Sequence, residues 1–328
     1  MKVAILFFLM AAIVCGQTVP IIFDTDIGDD VDDALALALA LQSPELEVKA
    51  ITTVADAAEM RSRLAWKELG IYGRHDIPVG VGADEPLLDP VHVRRHAQFD
   101  AVTAADVIPG PPQRAVDLII RTLLESPRKV TIVPVGPLTN IALALKTDPR
   151  IKSKIERIVL MGGAYYMPKP EYNVYRDRIA SEIVFNSGVP VTGVGLDVTT
   201  RCKLTAADID RIKAAGHPAA DFLVRSIQLW RELPMNSMPT LHDPLAVGVA
   251  MMPDLVETEL GAVQVETASP MLYGLTLFTP VSKVPKEGPL PKVSVARNVD
   301  AQRFLKLFME RVTAPPRSAG SAKSAHRQ

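Results

Sequence analysis

The chain contains one dense acidic segment, Phe23-Asp24-Thr25-Asp26-Ile27-Gly28-Asp29-Asp30-Val31-Asp32-Asp33-Ala34. The apolar run Val19–Phe23 precedes it and is typical of a short buried strand. In the residues that follow, Ala34–Leu41, Ala and Leu alternate with the period of a strand. Both residue types are strong helix formers and neither is β-branched, so we predict a buried helix there. The acidic segment is therefore predicted to be a loop that leads from a strand into a helix.

The same alternation of strand and helix continues along the chain. Four further apolar runs predict buried strands at Val48–Val54, Val130–Val135, Arg157–Met161 and Val191–Leu196. Helical patterns occur at Ser62–Tyr72, Ala115–Leu124, Ile141–Leu145 and Ser181–Asn186. Repeated strand–helix units imply right-handed crossovers between parallel strands. The predicted fold is α/β: a single domain with a mostly parallel open sheet, flanked by helices, and a Rossmann-like core. Ligands of such folds bind beyond the carboxyl ends of the strands.

Composition limits the classes of partner. The chain has 328 residues, of which 48% are hydrophobic, and its formal net charge is −1. A chain of this size and apolar content can bury a substantial core. Near-neutral charge without a long basic run argues against a nucleic-acid partner. We therefore expect a small-molecule substrate.

The start of the chain has the character of a targeting segment. Lys2, the apolar run Val3–Val14 and the small residue Gly16 predict a signal peptide over residues 1–16, and hence export to the periplasm or the medium. A lipid-anchored Cys15 and a buried first helix or strand are the alternatives. The apolar run is shorter than a membrane span, so we expect no stable membrane insertion after cleavage.

Removal of that segment would leave one folded domain over residues 17–313. Cys202 would then be the only cysteine, so we expect no internal disulfide. Residues 314–328 are rich in Pro, Ser, Ala and basic residues and have no apolar period, which predicts a flexible tail.

The six carboxylates of the acidic segment need a physical explanation. Packed together without a cation they would repel one another, and helix capping by Asp32 or Asp33 accounts for only part of the set. The favoured interpretation is a site for a hard cation, Ca²⁺ or Mg²⁺, with oxygen ligands. The spacing is not that of an EF-hand, and the chain has no Cys/His cluster suited to zinc. A solvated acidic loop is the alternative.

Four motifs, in this order, resemble those of the inosine–uridine-preferring nucleoside hydrolase family, over about Pro20 to Val312. The first is the acidic loop that runs into Asp32-Asp33-Ala34. The others are Val133-Pro134-Val135-Gly136-Pro137-Leu138-Thr139-Asn140-Ile141, then Leu160-Met161-Gly162-Gly163 with Glu171-Tyr172-Asn173, and finally His242-Asp243. Each motif follows a plausible strand, as it does in the family.

The resemblance implies a role for each matching residue. The implied Ca²⁺ ligands are Asp26, Asp33, Asp243 and the backbone carbonyl of Val135. The implied contacts to ribose come from Asp32, Met161, Glu171, Asn173 and Asp243. Asp26 also matches the aspartate that accepts a proton from the attacking water, and His242 matches a histidine at the leaving base, a candidate general acid. The family further implies a homo-oligomer, a dimer or a tetramer.

Two departures from the family pattern affect these assignments. Asp29-Asp30-Val31 lies between Gly28 and the Asp pair where the family has one residue, so Asp30 remains a rival to Asp32-Asp33 for the metal and ribose roles. After the second predicted strand, the family has Gly-Asn or Gly-Asp for ribose. This chain has Asp56 there, which is either the substitute ribose ligand or a helix cap.

The implied reaction is hydrolysis of a ribonucleoside to ribose and free base, by direct displacement with a calcium-bound water. Its oxocarbenium-like transition state favours negative charge beside the ribose, and the poor leaving base favours a nearby proton donor. Base preference is expected to depend on the loops around Leu87–Gln98 and Gln228–Met238.

Two other function classes remain open at this point. One is a secreted nucleoside- or sugar-binding protein that keeps the pocket without turnover. The other is a haloacid-dehalogenase-like phosphatase, in which Asp24 would be the nucleophile and Mg²⁺ the cofactor.

Overall fold

A computed structural model describes residues 18–89, 96–233, 238–285 and 292–317. In these ranges ten strands form one sheet. The strands are β1 Val19–Thr25, β2 Leu46–Thr53, β3 Val79–Val81, β4 Gln113–Arg114, β5 Val130–Pro134, β6 Ile155–Met161, β7 Val191–Val194, β8 Val256–Val265, β9 Thr276–Pro280 and β10 Val293–Val299. Residues 1–17, which contain the predicted signal peptide, lie outside the described residues.

The order of the strands places the first strand at a switch in chain direction. That order is β4-β3-β2-β1-β5-β6-β7-β10-β8-β9. From β1 the chain first builds outward through β2 to β4, and then returns to the other side of β1 with β5. In this spatial order, every pair of neighbouring strands between β4 at the edge and β10 is parallel. The last two pairs, β10 with β8 and β8 with β9, are antiparallel. A crevice for ligands is expected at the carboxyl ends of β1 and β5.

Helices cover both faces of the sheet. They are α1 Asp32–Gln42, α2 Ala58–Ile71, α3 Ala115–Glu125, α4 Thr139–Thr147, α5 Tyr172–Arg176, α6 Arg178–Phe185, α7 Leu196–Thr199, α8 Ala206–Ala214, α9 Pro218–Arg231, α10 His242–Met251 and α11 Ala301–Val312. Every residue of α1 is buried, and this helix packs against α10. The Ala/Leu alternation therefore forms a helix, as predicted.

Two apolar clusters form the core, one on each face of the sheet. In β1, Ile21 and Phe23 belong to the cluster beneath α1, α9, α10 and α11, whereas Ile22 belongs to the cluster beneath α3, α4 and α6. This division follows from the alternation of side chains along a strand. Strands buried on both faces are continuous apolar runs, which explains why these runs were recognisable in the sequence.

The predicted single-domain α/β fold is confirmed, and all five predicted strands and five predicted helices are present. The sequence did not predict the antiparallel edge formed by β8, β9 and β10.

None of the helices in the described ranges is long and apolar enough to cross a membrane. At the C-terminal end, Gln42 donates hydrogen bonds to the carbonyls of Ala314 and Pro315, so the start of the predicted tail is bonded to α1. The remainder, residues 318–328, lies outside the described residues.

Candidate active site

A cavity of about 510 Å³ opens at the switch point of the sheet. Its walls come from the loop after β1, the ends of β5 and β6, the segment around α5, and the first residues of α10. These segments are distant in sequence but meet because carboxyl ends of parallel strands share one edge of the sheet. Of the predicted site residues, the cavity brings together Asp26, Asp32, Asp33, Val135, Met161, Glu171, Asn173, His242 and Asp243.

Three buried carboxylates converge at the floor of the cavity. One oxygen from each of Asp32, Asp33 and Asp243 lies within 4.8 Å of the other two. Asp32 Oδ2 accepts a hydrogen bond from the backbone N–H of Asp243 at 3.0 Å, and Asp33 Oδ1 accepts one from the Thr25 hydroxyl at 2.5 Å. The first bond holds the first turn of α1 against the first turn of α10, and the second holds α1 against the end of β1. We refer to Asp32, Asp33 and Asp243 as the acidic trio.

The acidic trio has the chemistry of a cation site. Burial raises the pKa of all three carboxyls well above its usual range, and repulsion from neighbouring aspartates raises it further. Carboxylates so close together in a buried site require either protons or a cation. Oxygen donors without Cys or His suit a hard cation. The residues present therefore fit a metal ion of that class.

Asp26 lies beside the acidic trio in the cavity wall. It is 4% exposed, and burial raises the pKa of its carboxyl to about 7, with a further contribution from Asp29 and opposition from Arg61. Gly136 comes so close that a Cβ at that position would meet Asp26 Oδ1 at 2.7 Å. A glycine after β5 thus leaves room for the Asp26 carboxylate. Asp30 also lines the cavity but is exposed, and its Oδ1 accepts from the N–H of Val31.

The wall opposite the acidic loop carries the predicted ribose contacts. The Asn173 amide donates to the carbonyl of Val135 at 2.7 Å and to that of Met161 at 3.2 Å. Glu171 caps α5 through the N–H groups of Asn173 and Val174, and it also accepts from Gly163, whose φ is +81°. The Gly162-Gly163 motif is thus a tight turn that Glu171 holds in place, so Glu171 has a structural task besides lining the cavity.

His242 lies at the start of α10, next to the acidic trio. Its Nδ1 is 2.7 Å from the hydroxyl oxygen of Thr199, a fully buried residue of α7. Burial lowers the pKa of His242 to about 4, and the positive charges of Lys169 and Lys203 lower it further. The ring is therefore neutral near pH 7 in the absence of a ligand.

Comparison with known proteins identifies the family of this chain. The family described as "Inosine-uridine preferring nucleoside hydrolase" matches residues 21–306. The chain belongs to this family. A pyrimidine-specific ribonucleoside hydrolase, RihA, of Citrobacter koseri is 37% identical over 312 residues, which cover 90% of this chain and 98% of that protein.

Solved structures agree in fold over nearly the whole chain. A plant nucleoside hydrolase, PpNRh1, is 31% identical, has a TM-score of 0.81, and is covered completely by 91% of this chain. A purine-preferring ribonucleoside hydrolase from Gardnerella vaginalis is 33% identical with a TM-score of 0.79, over 93% of this chain and 99% of that one. The expected enzyme class, a hydrolase of N-glycosyl compounds, is confirmed by the family.

Membership of the nucleoside hydrolase family disfavours the phosphatase alternative, and the geometry of Asp24 agrees. Asp24 is completely buried and does not line the cavity. Its Oδ1 accepts from the Thr52 hydroxyl at 2.5 Å and from the Asn140 amide at 2.8 Å. A carboxylate enclosed in this way cannot attack a substrate. Asn140 also donates to the carbonyl of Thr53, so it joins β1 and β2 and does not cap α4.

The structure places Asp56 outside this nucleoside hydrolase cavity. Its carboxylate contacts Arg176 at 2.6 Å, His96 at 2.7 Å and Arg61 at 3.5 Å. It does not cap α2, because the residue at the cap of that helix is Ala57 and the N–H of Ala58 donates to Asp84 instead. With both oxygens occupied by other partners, Asp56 is not part of the ribose contacts proposed below.

Several cavity residues were missed by the sequence analysis. Lys169, Tyr172, Leu196, Trp230 and Leu233 all line the wall. Tyr172 lies between Glu171 and Asn173 in a motif that the sequence analysis quoted, so it could have been predicted as a site residue. Trp230, the second-last residue of α9, and Leu233 lie inside the predicted base-preference segment Gln228–Met238. Residues 234–237 of that segment and residues 90–95 of the other lie outside the described ranges. Lys169 and Leu196 belong to none of the four motifs, so the sequence did not indicate them as site residues.

Proposed function

We propose that this chain hydrolyses the N-glycosidic bond of ribonucleosides to ribose and free base, with Ca²⁺ as its cofactor. The observation that carries the proposal is the convergence of the acidic trio in one cavity with Asn173 and His242. A site for ribose hydroxyls, a hard cation and a leaving base needs these groups together. The named activities of the ribonucleoside hydrolase relatives support the same reaction.

The acidic trio, Asp26 and the carbonyl of Val135 are the proposed ligands of the cation. A bound Ca²⁺ would lower the pKa of a water molecule and hold the ribose hydroxyls. Asp26 would accept the proton from the attacking water, because its carboxylate lies in the cavity wall beside the trio. Asn173 would donate a hydrogen bond to the sugar once substrate displaces its contact to Val135.

His242 is proposed to protonate the leaving base. If the Thr199 hydroxyl donates to Nδ1, the proton of the neutral imidazole is on Nε2, which can then donate. Leu196, Trp230 and Leu233 line the apolar part of the cavity and are the proposed contacts of the base. The names of the RihA relatives support uridine and cytidine as preferred substrates.

The deciding experiment measures the release of base and ribose from uridine, cytidine, inosine, adenosine and guanosine. It is run with added Ca²⁺ and again after chelation. We expect calcium-dependent release, fastest from the pyrimidine nucleosides. Binding of a nucleoside without release by folded, calcium-loaded protein would contradict the proposal and favour a binding protein. Faster release from purine nucleosides would contradict only the base preference.

Export and self-association are also proposed. The pattern of Lys2 and Val3–Val14 supports cleavage after Gly16, and expression of the full chain followed by mass spectrometry of the exported protein should give an N-terminus at Gln17. Light scattering of that product should give the mass of a dimer or tetramer. An uncleaved N-terminus, or a monomer at micromolar concentration, would contradict the respective proposal.

A further inference from the structure

Arg61 of α2 lies completely buried behind the acidic loop. Its Nη1 donates to the carbonyl of Asp26 and, at 3.1 Å, to that of Ile27. Its Nε donates to the carbonyl of Asp56 at 2.8 Å. One planar guanidinium thus fixes two consecutive carbonyls of the acidic loop, which begins at the proposed general base. Its rigid fork of donors suits such multiple contacts better than an ammonium group would.

Asp56 holds this arginine together with a second one. The Asp56 carboxylate accepts from Arg176 at 2.6 Å, from the His96 ring at 2.7 Å, and lies 3.5 Å from Arg61 Nη2. Arg176 ends α5, the short helix that also contains Asn173. The anion therefore connects the back of the acidic loop to the helix on the ribose side of the cavity.

The turn that presents Asp56 has an unusual backbone. Ala55 and Ala57, its two neighbours, have φ angles of 67° and 61°, in the left-handed region that residues other than glycine seldom occupy. The turn is held by hydrogen bonds from Ala55 N–H to the carbonyl of Ala83 and from Ala58 N–H to Asp84. Such backbone persists only where surrounding contacts fix it, and here it points a carboxylate at two buried arginines.

We propose that Arg61, anchored by Asp56, is a positioning residue that fixes the backbone of Asp26 so that its carboxylate faces the cavity. This inference rests on the proposed function, in which Asp26 accepts the proton of the attacking water. Asp56 and Arg176 extend the same restraint to α5. Neither Arg61 nor Asp56 lines the cavity, so both act through the residues that they hold.

The sign of an electrostatic effect separates this proposal from a simpler one. A guanidinium near the acidic trio repels a cation, so its charge alone weakens cation binding. If charge were the main effect, removal of Arg61 would tighten binding, and lysine would behave like arginine. If Arg61 acts by position, both Arg61→Met and Arg61→Lys weaken binding. Methionine donates no hydrogen bond, and an ammonium lacks the planar fork with which the guanidinium holds the carbonyls of Asp26, Ile27 and Asp56.

The test compares wild-type protein with Arg61→Lys, Arg61→Met, Asp56→Asn and the double variant Arg61→Met/Asp56→Asn. Calorimetric Ca²⁺ titration should show affinity reduced about 10- to 100-fold in each single variant. At saturating Ca²⁺ and uridine, kcat should fall while KM changes little, since an oriented base acts in the transition state. The double variant should be barely worse than Arg61→Met, because the two residues act as a unit.

Arg157→Met is the matched control. Arg157 is partly buried, whereas Arg61 is completely buried, but its Nη2 likewise lies within hydrogen-bond distance of two consecutive carbonyls, those of Val249 and Ala250 at the far end of α10. The Arg157→Met substitution should lower the thermal stability of the cation-free protein but leave kcat and Ca²⁺ affinity unchanged. Equal loss of activity in Arg157→Met and Arg61→Met at matched stability would overturn the proposal, as would tighter binding by Arg61→Met.

Hydrogen exchange keeps the inference separate from the proposed function. In cation-free protein, the amides of residues 26–33 should exchange faster in Arg61→Met than in wild type, and no faster in Arg157→Met. Unchanged exchange would refute the positioning role even in an active enzyme. If wild-type protein neither binds Ca²⁺ nor cleaves nucleosides, the proposed function fails, and a role of Arg61 in positioning a catalytic base fails with it.

Discussion

Asp30 and Asp33 belong to the same loop but differ in their surroundings. Asp33 is 2% exposed, accepts from Thr25 and belongs to the acidic trio, whereas Asp30 is exposed to solvent. We expect Asp33→Asn to reduce Ca²⁺ affinity and kcat/KM by about 100-fold or more, since it removes a proposed ligand and not only its support. The matched variant Asp30→Asn should change Ca²⁺ affinity and kcat/KM by less than about threefold each.

Calcium titration and steady-state kinetics on both variants check this prediction. A larger loss in Asp30→Asn than in Asp33→Asn would assign the metal role to Asp30, the rival left open by the irregular spacing of the loop. The spacing could not decide between them, because two extra residues in a loop shift side chains without changing their types. What distinguishes Asp33 from Asp30 is its place in the first turn of α1. That turn is buried against α10, where Asp32 bonds to Asp243, 211 positions away.

His242 gives a second prediction at this scale. His242→Gln should lower kcat for uridine by about 10²- to 10⁴-fold, because a positioned proton donor contributes that much. A riboside with an acidic leaving group such as 4-nitrophenol needs no protonation, so its hydrolysis should be reduced far less. Thr199→Val should reduce uridine turnover by a smaller factor. Equal losses for both substrates in His242→Gln would show that His242 binds ribose or supports Asp243 instead.

Among the elements, α2 contains a buried acid with an unusual environment. Glu68 is completely buried, and neither of its carboxylate oxygens has a hydrogen-bond partner in the described structure. Burial raises the pKa of Glu68 well above its usual value of 4.5, and its charge would also raise the pKa of Tyr72. In the folded protein Glu68 is therefore protonated at a pH where the unfolded chain has released that proton.

The consequence is a dependence of stability on pH. The contribution of Glu68 to the free energy of unfolding is complete below pH 4.5, the pKa in the unfolded chain, and is lost as pH rises towards the raised pKa of the folded state. The free energy of unfolding then falls by about 1.4 kcal/mol per pH unit, which is about the limit for one group. Glu68→Gln should remove this slope. Urea unfolding of both proteins between pH 5 and 8 measures it, with the exposed Glu59→Gln on the same helix as control. Parallel pH profiles for wild type and Glu68→Gln would contradict this account.

The elements also show what the sequence could and could not predict. The strands β1, β2, β5, β6 and β7 are buried on both faces, so each could be predicted from a continuous apolar run in the sequence. The edge formed by β8 and β9 alternates buried and exposed residues and contains charged side chains, a weaker pattern. The position of Asp56 was recognised, but its partners were not, because Arg61, His96 and Arg176 are brought to it only by the packing of α2, α5 and the 3₁₀ helix Ala97–Ala101.

For the whole molecule, cation binding and folding stability are linked. A ligand that binds only the folded state stabilises it by about 2.7 kcal/mol at a concentration of 100 times its Kd. We therefore expect the Tm of wild-type protein to rise on addition of Ca²⁺ and to fall on chelation. Differential scanning calorimetry measures both. Asp243→Asn should show neither change, and an equal shift in that variant would place the stabilising cation elsewhere.

Asp32 and Asp243 meet across 211 positions of a chain whose described cysteine, Cys202, is free and buried. A cation held by both ends would close a loop of that length as a reversible cross-link. A covalent bridge over such a loop would restrict the unfolded chain by about 5 kcal/mol. The proposed export and the proposed Ca²⁺ site together would give the folded chain, from a cation that is abundant outside cells, the kind of restraint that other exported proteins obtain from disulfide bonds.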